Sequence, residues 1–159
     1  MKRIYLTGRK GAGLYAVVDD SDYELVAGHS WFLSYYGYAH TTIKTSNGRR
    51  PVSMHRFLLG QESPAHFDHI NGNKLDNRRC KLRPASRSQN QANRGPQINS
   101  PGGIKGLSWY DDRKKWRVRI KSNNVVHYLG YYANKTDAIK AYNAAALKYH
   151  VEFARLNPL

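Results

Sequence analysis

Short apolar runs separated by glycine-containing turns dominate the first third of the chain. Runs rich in β-prone residues stand at positions 4–6, 14–18 and 36–39. Such runs predict short strands joined by tight turns. Asp19 and Asp20 then predict the start of a short helix with Leu25 and Val26 facing inward, and we expect Phe32 to lie in the core.

The middle of the chain alternates between apolar and polar segments on a shorter scale. Residues 52–60 have an apolar spacing typical of a short buried helix that ends at Gly60. The stretch FDHINGNKLDNRRCKLR, residues 67–83, predicts a strand, a turn around Asn-Gly-Asn, and a second strand at Leu82 that pairs back before Pro84 interrupts it. A helix with a serine cap at Ser86 is predicted to follow.

The last third has the clearest periodicity. Residues 107–110, 115–121 and 125–130 form three alternating runs joined by polar turns, which predicts an antiparallel sheet. Apolar residues then recur at helical spacing from Ala138 to Tyr149, which predicts one helix that covers the apolar face of the sheet. Two prolines and three glycines among polar residues interrupt the pattern before this region, and we interpret residues 95–101 as a linker between two small domains.

Charge narrows the choice of partner. Lys and Arg total 26 against 11 Asp and Glu, and the formal net charge is +15. A positive field of this size attracts polyphosphate, so double-stranded DNA is the predicted partner. No apolar run approaches the roughly 20 residues of a spanning helix and no secretory signal pattern opens the chain, so we expect no membrane association and a cytoplasmic location, that of a host cell if a phage encodes the chain. Cys80 is the single cysteine, which excludes an internal disulfide.

Asp68 and His69 stand side by side in these basic surroundings. Phosphodiester hydrolysis needs a proton acceptor near neutrality and a cation at the scissile phosphate. The predicted strand and helix bring Asp68 towards Asn90, and a carboxylate with an amide oxygen suits Mg²⁺, for which Mn²⁺ is a common substitute. We therefore predict His69 as the general base and Asp68 and Asn90 as metal ligands. Four arginines are predicted to donate hydrogen bonds to the flanking phosphates: Arg78, Arg79, Arg83 and Arg87.

The motifs MHRFLLG, DHINGNKLDNRR and LRPASRSQNQANR resemble the catalytic core of HNH homing endonucleases of phages and mobile elements. The resemblance implies a ββα-metal fold with the same roles for Asp68, His69 and Asn90. It also implies a central asparagine that ties the loop down through backbone hydrogen bonds, a position that Lys81 occupies here. Lysine has three donors and no acceptor, so Asn77 or Asn73 would have to replace this tether, or Lys81 would contact a phosphate.

The motifs GIKGLSWY, KKWRVRI, YLGYYANKTDAIKAYNAAALKYH and FARLN resemble an AP2-type DNA-binding domain over residues 102–157. Such domains lay one face of the sheet in the major groove. Strand alternation predicts which side chains lie on that face: Ser108, Tyr110, Arg117, Arg119, Lys121, Val126 and Tyr128. Arg113 lies in the adjoining turn, within reach of the DNA backbone.

The predicted fold is therefore α+β. A nuclease domain spans 1–94, with a β-rich part at 1–54 and a ββα-metal core at 55–94, and an AP2-like domain spans 102–159. The predicted function is a metal-dependent, site-specific DNA endonuclease of the homing type, a monomer that needs no obligate protein partner. One active site per chain predicts a nick. The alternative is a repressor-like DNA-binding protein whose nuclease core has decayed. His55 is interpreted as a core or helix-surface residue.

Overall fold

Two hydrophobic clusters organise the chain. A computed structural model describes residues 1–60, 66–97, 100 and 103–159. They form two compact units, Met1–Ala85 and Ser86–Leu159. The mixed α+β class is confirmed. The predicted linker at 95–101 lies partly outside the described residues, as does the predicted domain start at 102, and the nuclease domain at 1–94 stays a prediction.

The described residues of the first unit form two short α-helices and three small antiparallel sheets. Helix α1 spans Tyr23–Ala27 and α2 spans Met54–Leu59. The sheets have the orders β1-β2, β3-β4-β5 and β6-β7. Their strands are β1 Lys2–Tyr5, β2 Tyr15–Val18, β3 Phe32–Leu33, β4 Ala39–Thr45, β5 Gly48–Ser53, β6 His66–His69 and β7 Leu82–Ala85.

Trp31 is at the centre of the first core. Its side chain is fully buried, and its indole N–H donates to the Val26 carbonyl at 2.9 Å, as a buried tryptophan requires. Val26 is buried as predicted, but Leu25 is exposed because α1 is only five residues long and has a single buried position. Phe32 is also largely exposed. The predictions of Leu25 and Phe32 as core residues were wrong.

Strands β6 and β7 form the predicted antiparallel hairpin. Asp68 pairs with Arg83 and His69 with Leu82. The hairpin continues through Pro84 to Ala85, so the expected interruption at Pro84 was wrong. In a two-stranded sheet each strand has an outer edge, and a proline that lacks its N–H is tolerated there.

The second unit opens with the predicted capped helix. Helix α3 spans Arg87–Asn93, and Ser86 forms a capping box with Gln89: the Gln89 N–H donates to the serine hydroxyl, and the Ser86 N–H donates to the Gln89 side chain. This reciprocal pair satisfies two otherwise unpartnered N–H groups at the helix start. The predicted serine cap is confirmed.

A three-stranded antiparallel sheet and one long helix complete the second unit. The strands are β8 Leu107–Tyr110, β9 Lys115–Ser122 and β10 Val125–Tyr132, with β9 in the centre, and α4 spans Lys135–His150. Val118 and Ile120 pack against the apolar face of α4 as predicted. Gly106 is required at this contact, because its φ is +73° and a Cβ would lie 2.3 Å from the Tyr142 ring. None of the helices in the described part of the chain is long and apolar enough to span a bilayer.

Candidate active site and nucleic-acid interface

The adjacent pair Asp68 and His69 lies at the end of β6. Asp68 is 5% exposed and His69 4% exposed. Asp68 accepts two hydrogen bonds on Oδ2, from Nε of Arg83 at 3.0 Å and from Nη2 at 2.8 Å. The cross-strand register of the hairpin produces this fork, since Asp68 and Arg83 are direct partners. Asp68, a predicted metal ligand, is thus paired with Arg83, which is predicted to bind phosphate.

His69 packs among aromatic rings. Its ring centroid is 5.6 Å from that of Tyr38 and 5.2 Å from that of His55. Burial lowers the pKa of His69, and the Asn77 side chain, Asp68 and Asp76 oppose that shift only in part. The imidazole is therefore mainly neutral near pH 7, which is the form that accepts a proton.

His55 belongs to the same aromatic cluster. Nε2 of His55 lies 3.1 Å from the Ser53 hydroxyl, and its ring packs edge-on against Tyr38. Burial lowers the pKa of His55 to about 3, and the charge of His69 contributes in the same direction. The structure brings His55 and His69 together, which the sequence did not indicate because 13 intervening residues separate them.

Side-chain hydrogen bonds hold the loop between β6 and β7 in place. The Asn71 side-chain amide donates to Asp76 at 2.8 Å, Oδ1 of Asn71 accepts from the Asn73 N–H at 3.0 Å, and Oδ1 of Asn73 accepts from the Leu75 N–H at 3.1 Å. Arg78 forks onto Asp76 from Nε at 2.8 Å and Nη2 at 2.7 Å. This ion pair lowers the pKa of Asp76.

The loop is also fastened to the rest of the first unit. The Val17 N–H donates to the Leu75 carbonyl at 2.8 Å and the Asn77 N–H donates to the Val17 carbonyl at 2.7 Å. Arg79 holds Asp22 through Nε and Nη2, each within 2.8 Å of one carboxylate oxygen, and its N–H donates to Asp19 at 2.8 Å. The loop is tied down without an asparagine at position 81.

Lys81 joins this network through its backbone. Its N–H donates to the Arg78 carbonyl at 2.8 Å and its carbonyl accepts from the Ile70 N–H at 2.9 Å. Asn77 is 1% exposed, and neither polar atom of its side chain reaches hydrogen-bond geometry with a described residue. Of the two substitutes that the sequence suggested for the tether, Asn73 makes a backbone contact through its side chain and Asn77 does not.

Three of the four arginines predicted to bind phosphate are paired with carboxylates. These ion pairs are Arg78 with Asp76, Arg79 with Asp22 and Arg83 with Asp68. The fourth, Arg87, is exposed in the first turn of α3. Each guanidinium has five donors, so a paired arginine keeps donors for a phosphate, and phosphate binding by these residues stays a prediction.

Asn90 lies on α3 in the second unit, whereas Asp68 lies in the first. Their joint binding of a cation therefore stays a prediction. Within the described ranges, no group of three or more His, Cys, Asp or Glu side chains is arranged so that it could hold a metal ion. The donor set of one carboxylate and one amide still suits Mg²⁺, which keeps most of its waters and takes few protein ligands.

One face of the C-terminal sheet presents cations beside aromatic rings. Arg119 is the cross-strand partner of Tyr128, and Arg117 is that of Ser108 on one side and Tyr131 on the other. Arg117 lies 5.4 Å from the centre of the Tyr110 ring, and Arg113 lies 4.6 Å from that of Tyr131. The predicted alternation is confirmed in β9, with Lys121 exposed on the same face and opposite Val126. In β8 it fails at Trp109, which is exposed although alternation predicted it on the core side.

The sequence predicted neither of two further features, one in each unit. Tyr131 joins the outer face because the register of β10 shifts between Tyr128 and Gly130, and a bulge of this kind breaks simple alternation. Lys44 and Arg49 face each other across the β4–β5 hairpin. The run from 39 to 53, which has three cations and no acid, was a signal for this pair.

Comparison with known proteins agrees with the resemblance of the first unit. The chain is 28% identical over 160 residues to a protein named an uncharacterised HNH endonuclease, from Acanthamoeba polyphaga mimivirus, and the match covers 97% of this chain and 80% of that protein. It is 34% identical over 62 residues to Protein 3.8 of Escherichia phage T7, covering 39% of this chain and 51% of that protein. No protein-family model and no solved structure matches the chain.

Proposed function

We propose that this protein is a metal-dependent DNA endonuclease that nicks one strand of double-stranded DNA at a specific site. The observation that carries the proposal is the buried pair of adjacent residues Asp68 and His69. Burial lowers the pKa of His69, so its imidazole is neutral, and it lies beside the hydrogen-bonded loop between β6 and β7. The similarity to a viral protein named as an HNH endonuclease supports the same reaction class. The homing role is proposed from the resemblance of the sequence motifs alone.

His69 is the proposed general base. A neutral imidazole takes a proton from the attacking water, and the Tyr38 and His55 rings fix its orientation and exclude bulk water from one side. Asp68 and Asn90 are the proposed ligands of Mg²⁺, with Mn²⁺ as a substitute. When bound, the cation neutralises charge that develops on the scissile phosphate and on the leaving oxygen.

The second unit is the proposed reader of the target site. We propose that its sheet is AP2-like and that Arg117, Arg119 and Lys121 enter the major groove, which is wide enough for a sheet edge or ribbon and in which each base pair has its own donor pattern. The support is a row of cations next to tyrosine rings, in which Arg119 and Lys121 are exposed and Arg117 is half-buried. A monomer with one active site cuts one strand.

A second function, a DNA-binding protein without cleavage, has two observations in its favour. Arg83 donates two hydrogen bonds to Asp68. Lys81 stands where HNH homing endonucleases, which the motifs resemble, have the asparagine that ties down the loop. A carboxylate that a guanidinium holds this closely has to exchange one cation for another before it serves a metal.

Supercoiled plasmid separates the two functions. Incubation of the full chain with Mg²⁺ converts closed circles to open circles if the protein nicks, and excess EDTA stops the reaction. His69→Ala lowers the nicking rate by roughly 10²- to 10⁴-fold and leaves DNA affinity within a few-fold, whereas His66→Ala, which removes an exposed histidine from the same strand, keeps both. Nicking by His69→Ala at the original rate, or in EDTA, contradicts the proposal.

A further inference from the structure

A short rigid turn joins β3 to β4. The Gly37 N–H donates to the Ser34 carbonyl at 3.0 Å, and the Ser34 N–H donates to the Tyr38 carbonyl at 2.9 Å. The Ser34 hydroxyl also accepts from the Tyr38 N–H at 3.1 Å. Gly37 has a φ of +81°, a conformation that glycine adopts without strain. Backbone bonds therefore fix the direction of the turn.

Two tyrosines occupy the centre of this turn. Tyr35 is 87% exposed and Tyr36 72% exposed, and their rings meet edge to face with centroids 5.3 Å apart. Neither contributes to the hydrophobic core of the first unit. Adjacent exposed aromatic rings on a rigid turn are typical of a binding surface, because the surface gains no stability from them and little conformational entropy is lost on binding.

Lysines flank the two rings and connect the turn to the candidate active site. Nζ of Lys10 lies 6.0 Å from the centre of the Tyr35 ring. Nζ of Lys74, on the loop after β6, donates to the Tyr36 carbonyl at 2.8 Å and lies 5.0 Å from the Tyr38 ring. Tyr38 in turn contacts His69. A single tyrosine ring thus separates the lysine that holds the turn from the proposed base.

We propose that Tyr35 and Tyr36 form a stacking platform for unpaired nucleotide bases next to the cut, with Lys10 and Lys74 neutralising the adjacent phosphates. The proposal rests on the proposed nuclease function and names a feature of its substrate. Aromatic side chains stack on any base, because every base has a π face, and lysines supply the matching charge for the strand. In an intact duplex neighbouring pairs cover those faces, so a platform requires locally unstacked DNA.

The chemistry of the patch favours nucleic acid over a protein partner. The turn has no acidic residue, and the cations beside it belong to a chain with a net charge of +15. A phosphate strand satisfies the lysines while its bases cover the rings, whereas an apolar protein surface would bury the lysines without partners.

Binding to two oligonucleotides in EDTA tests the platform without cleavage. One is a fully paired duplex, and the other has the same flanks and a central bubble of unpaired thymines with one 2-aminopurine. The full chain is expected to bind the bubble more tightly and to quench its fluorescence. Each stacked base contributes roughly five- to hundredfold in affinity, so the double variant Tyr35→Ala/Tyr36→Ala loses most of the preference and the quenching.

Two variants separate stacking from other causes. Tyr35→Phe/Tyr36→Phe keeps both rings and is expected to keep the bubble preference. Tyr5→Ala removes another exposed tyrosine of the same unit and is expected to change nothing. The unaltered protein binding both DNAs equally, the double alanine variant keeping the preference, or Tyr5→Ala losing it overturns the platform. Loss in the phenylalanine variant overturns stacking in favour of hydroxyl hydrogen bonds.

The outcome is distinct from that of the proposed function. Since binding is measured without Mg²⁺, a protein that prefers the bubble but fails to nick plasmid contradicts only the nuclease proposal. A protein that nicks plasmid through His69 and has no bubble preference contradicts only the platform. Thermal unfolding of each variant checks the fold, and the single variants Tyr35→Ala and Tyr36→Ala, each expected to lose part of the preference, provide the result where the double alanine variant is unstable.

Discussion

Arg83 holds Asp68 through a fork, with both Nε and Nη2 donating to the same carboxylate oxygen across the β6–β7 hairpin. Asp68 is nearly buried, and the Arg83 side chain is 15% exposed. A buried carboxylate needs such a partner, because its desolvation is not otherwise offset. In the proposed nuclease the fork holds Asp68 in position, and it also competes with Mg²⁺ for the carboxylate.

Weakening the fork is therefore expected to change the requirement for metal. Arg83→Lys keeps the charge but replaces a two-point contact with a single mobile ammonium. We expect the Mg²⁺ concentration for half-maximal plasmid nicking to fall by roughly three- to tenfold. Arg78→Lys, which weakens the fork on Asp76 in the same loop, is the matched control. An unchanged or higher Mg²⁺ requirement for Arg83→Lys contradicts competition at Asp68.

Asn77 offers a test that separates stability from activity. Its side chain is buried, has no hydrogen-bond partner of good geometry among described residues, and raises the pKa of His69. Asn77→Leu keeps the heavy-atom count and the branching of the side chain but removes its polar atoms, so the free energy of unfolding is expected to stay within about 1 kcal/mol. Activity is expected to fall because His69 loses a polar neighbour that orients the ring.

Kinetics and urea unfolding of Asn77→Leu provide the two measurements. We expect kcat to fall at least tenfold with little change in KM for DNA, and Asn77→Asp, which restores an acceptor, to recover part of it. Full activity in the leucine variant would assign Asn77 to packing alone.

Local patterns in the sequence predicted the second unit well. Val118 and Ile120 alternate with Arg117 and Arg119, and a period of two specifies which face is buried. The same rule failed at Tyr131, because a register shift in β10 depends on how two strands twist together and has no signature in the spacing. Serine at position 86 predicted its cap because the capping box is local.

Contacts between residues far apart in the chain could not be predicted from the sequence. Asp22 and Arg79 are 57 positions apart, and nothing in either segment indicates the other. The same holds for the meeting of His55 with His69. Motif spacing marked Asp68 and His69 as chemically important, but the Arg83 fork on Asp68 required the register of the hairpin. Ion pairs between distant residues thus give Arg79 and Arg83, two arginines that were predicted to bind phosphate, a carboxylate partner that the sequence did not indicate.

The sheet face of the second unit is expected to determine the salt dependence of DNA binding. The triple variant Arg117→Gln/Arg119→Gln/Lys121→Gln removes three charges on one face of the sheet, two of them exposed and that of Arg117 half-buried. Because each phosphate contact contributes about 0.9 to the slope of log K against log salt, the slope is expected to fall by up to about 2.7. Binding is measured by fluorescence anisotropy across a salt series.

A control with the same loss of charge tests whether position matters. Lys140→Gln/Lys148→Gln/Arg155→Gln removes three exposed cations from α4 and the segment after it. Its slope is expected to change by less than one unit, since α4 covers the opposite face of the sheet. Equal slopes for both triple variants would mean that net charge, rather than the sheet face, drives binding.

Arg79 and Asp22 form an ion pair whose two halves are unequally buried. The Asp22 side chain is 4% exposed and that of Arg79 51% exposed. Arg79→Ala leaves a buried carboxylate without its guanidinium, and we expect a loss of about 3–5 kcal/mol in the free energy of unfolding. Asp22→Asn leaves an arginine that water can solvate, so about 1–2 kcal/mol is expected. Urea unfolding gives both values, and equal losses would contradict the asymmetry.

His55 makes the stability of the first unit depend on pH. Burial lowers its pKa from 6.5 to about 3. As the pH falls through this window, the unfolded chain binds a proton that the folded chain does not, so stability is complete above pH 6.5 and decreases below it. At pH 5 the loss is about 2 kcal/mol.

His55→Gln removes the titrating group and retains a donor and an acceptor near Ser53, so its loss between pH 7.5 and pH 5 is expected to be smaller by that amount. Urea unfolding followed by Trp31 fluorescence, in a Trp109→Phe/Trp116→Phe background, reports on the first unit alone. His66→Gln is expected to keep the full pH dependence, and an undiminished loss in His55→Gln would show that other buried groups, such as His69, cause it.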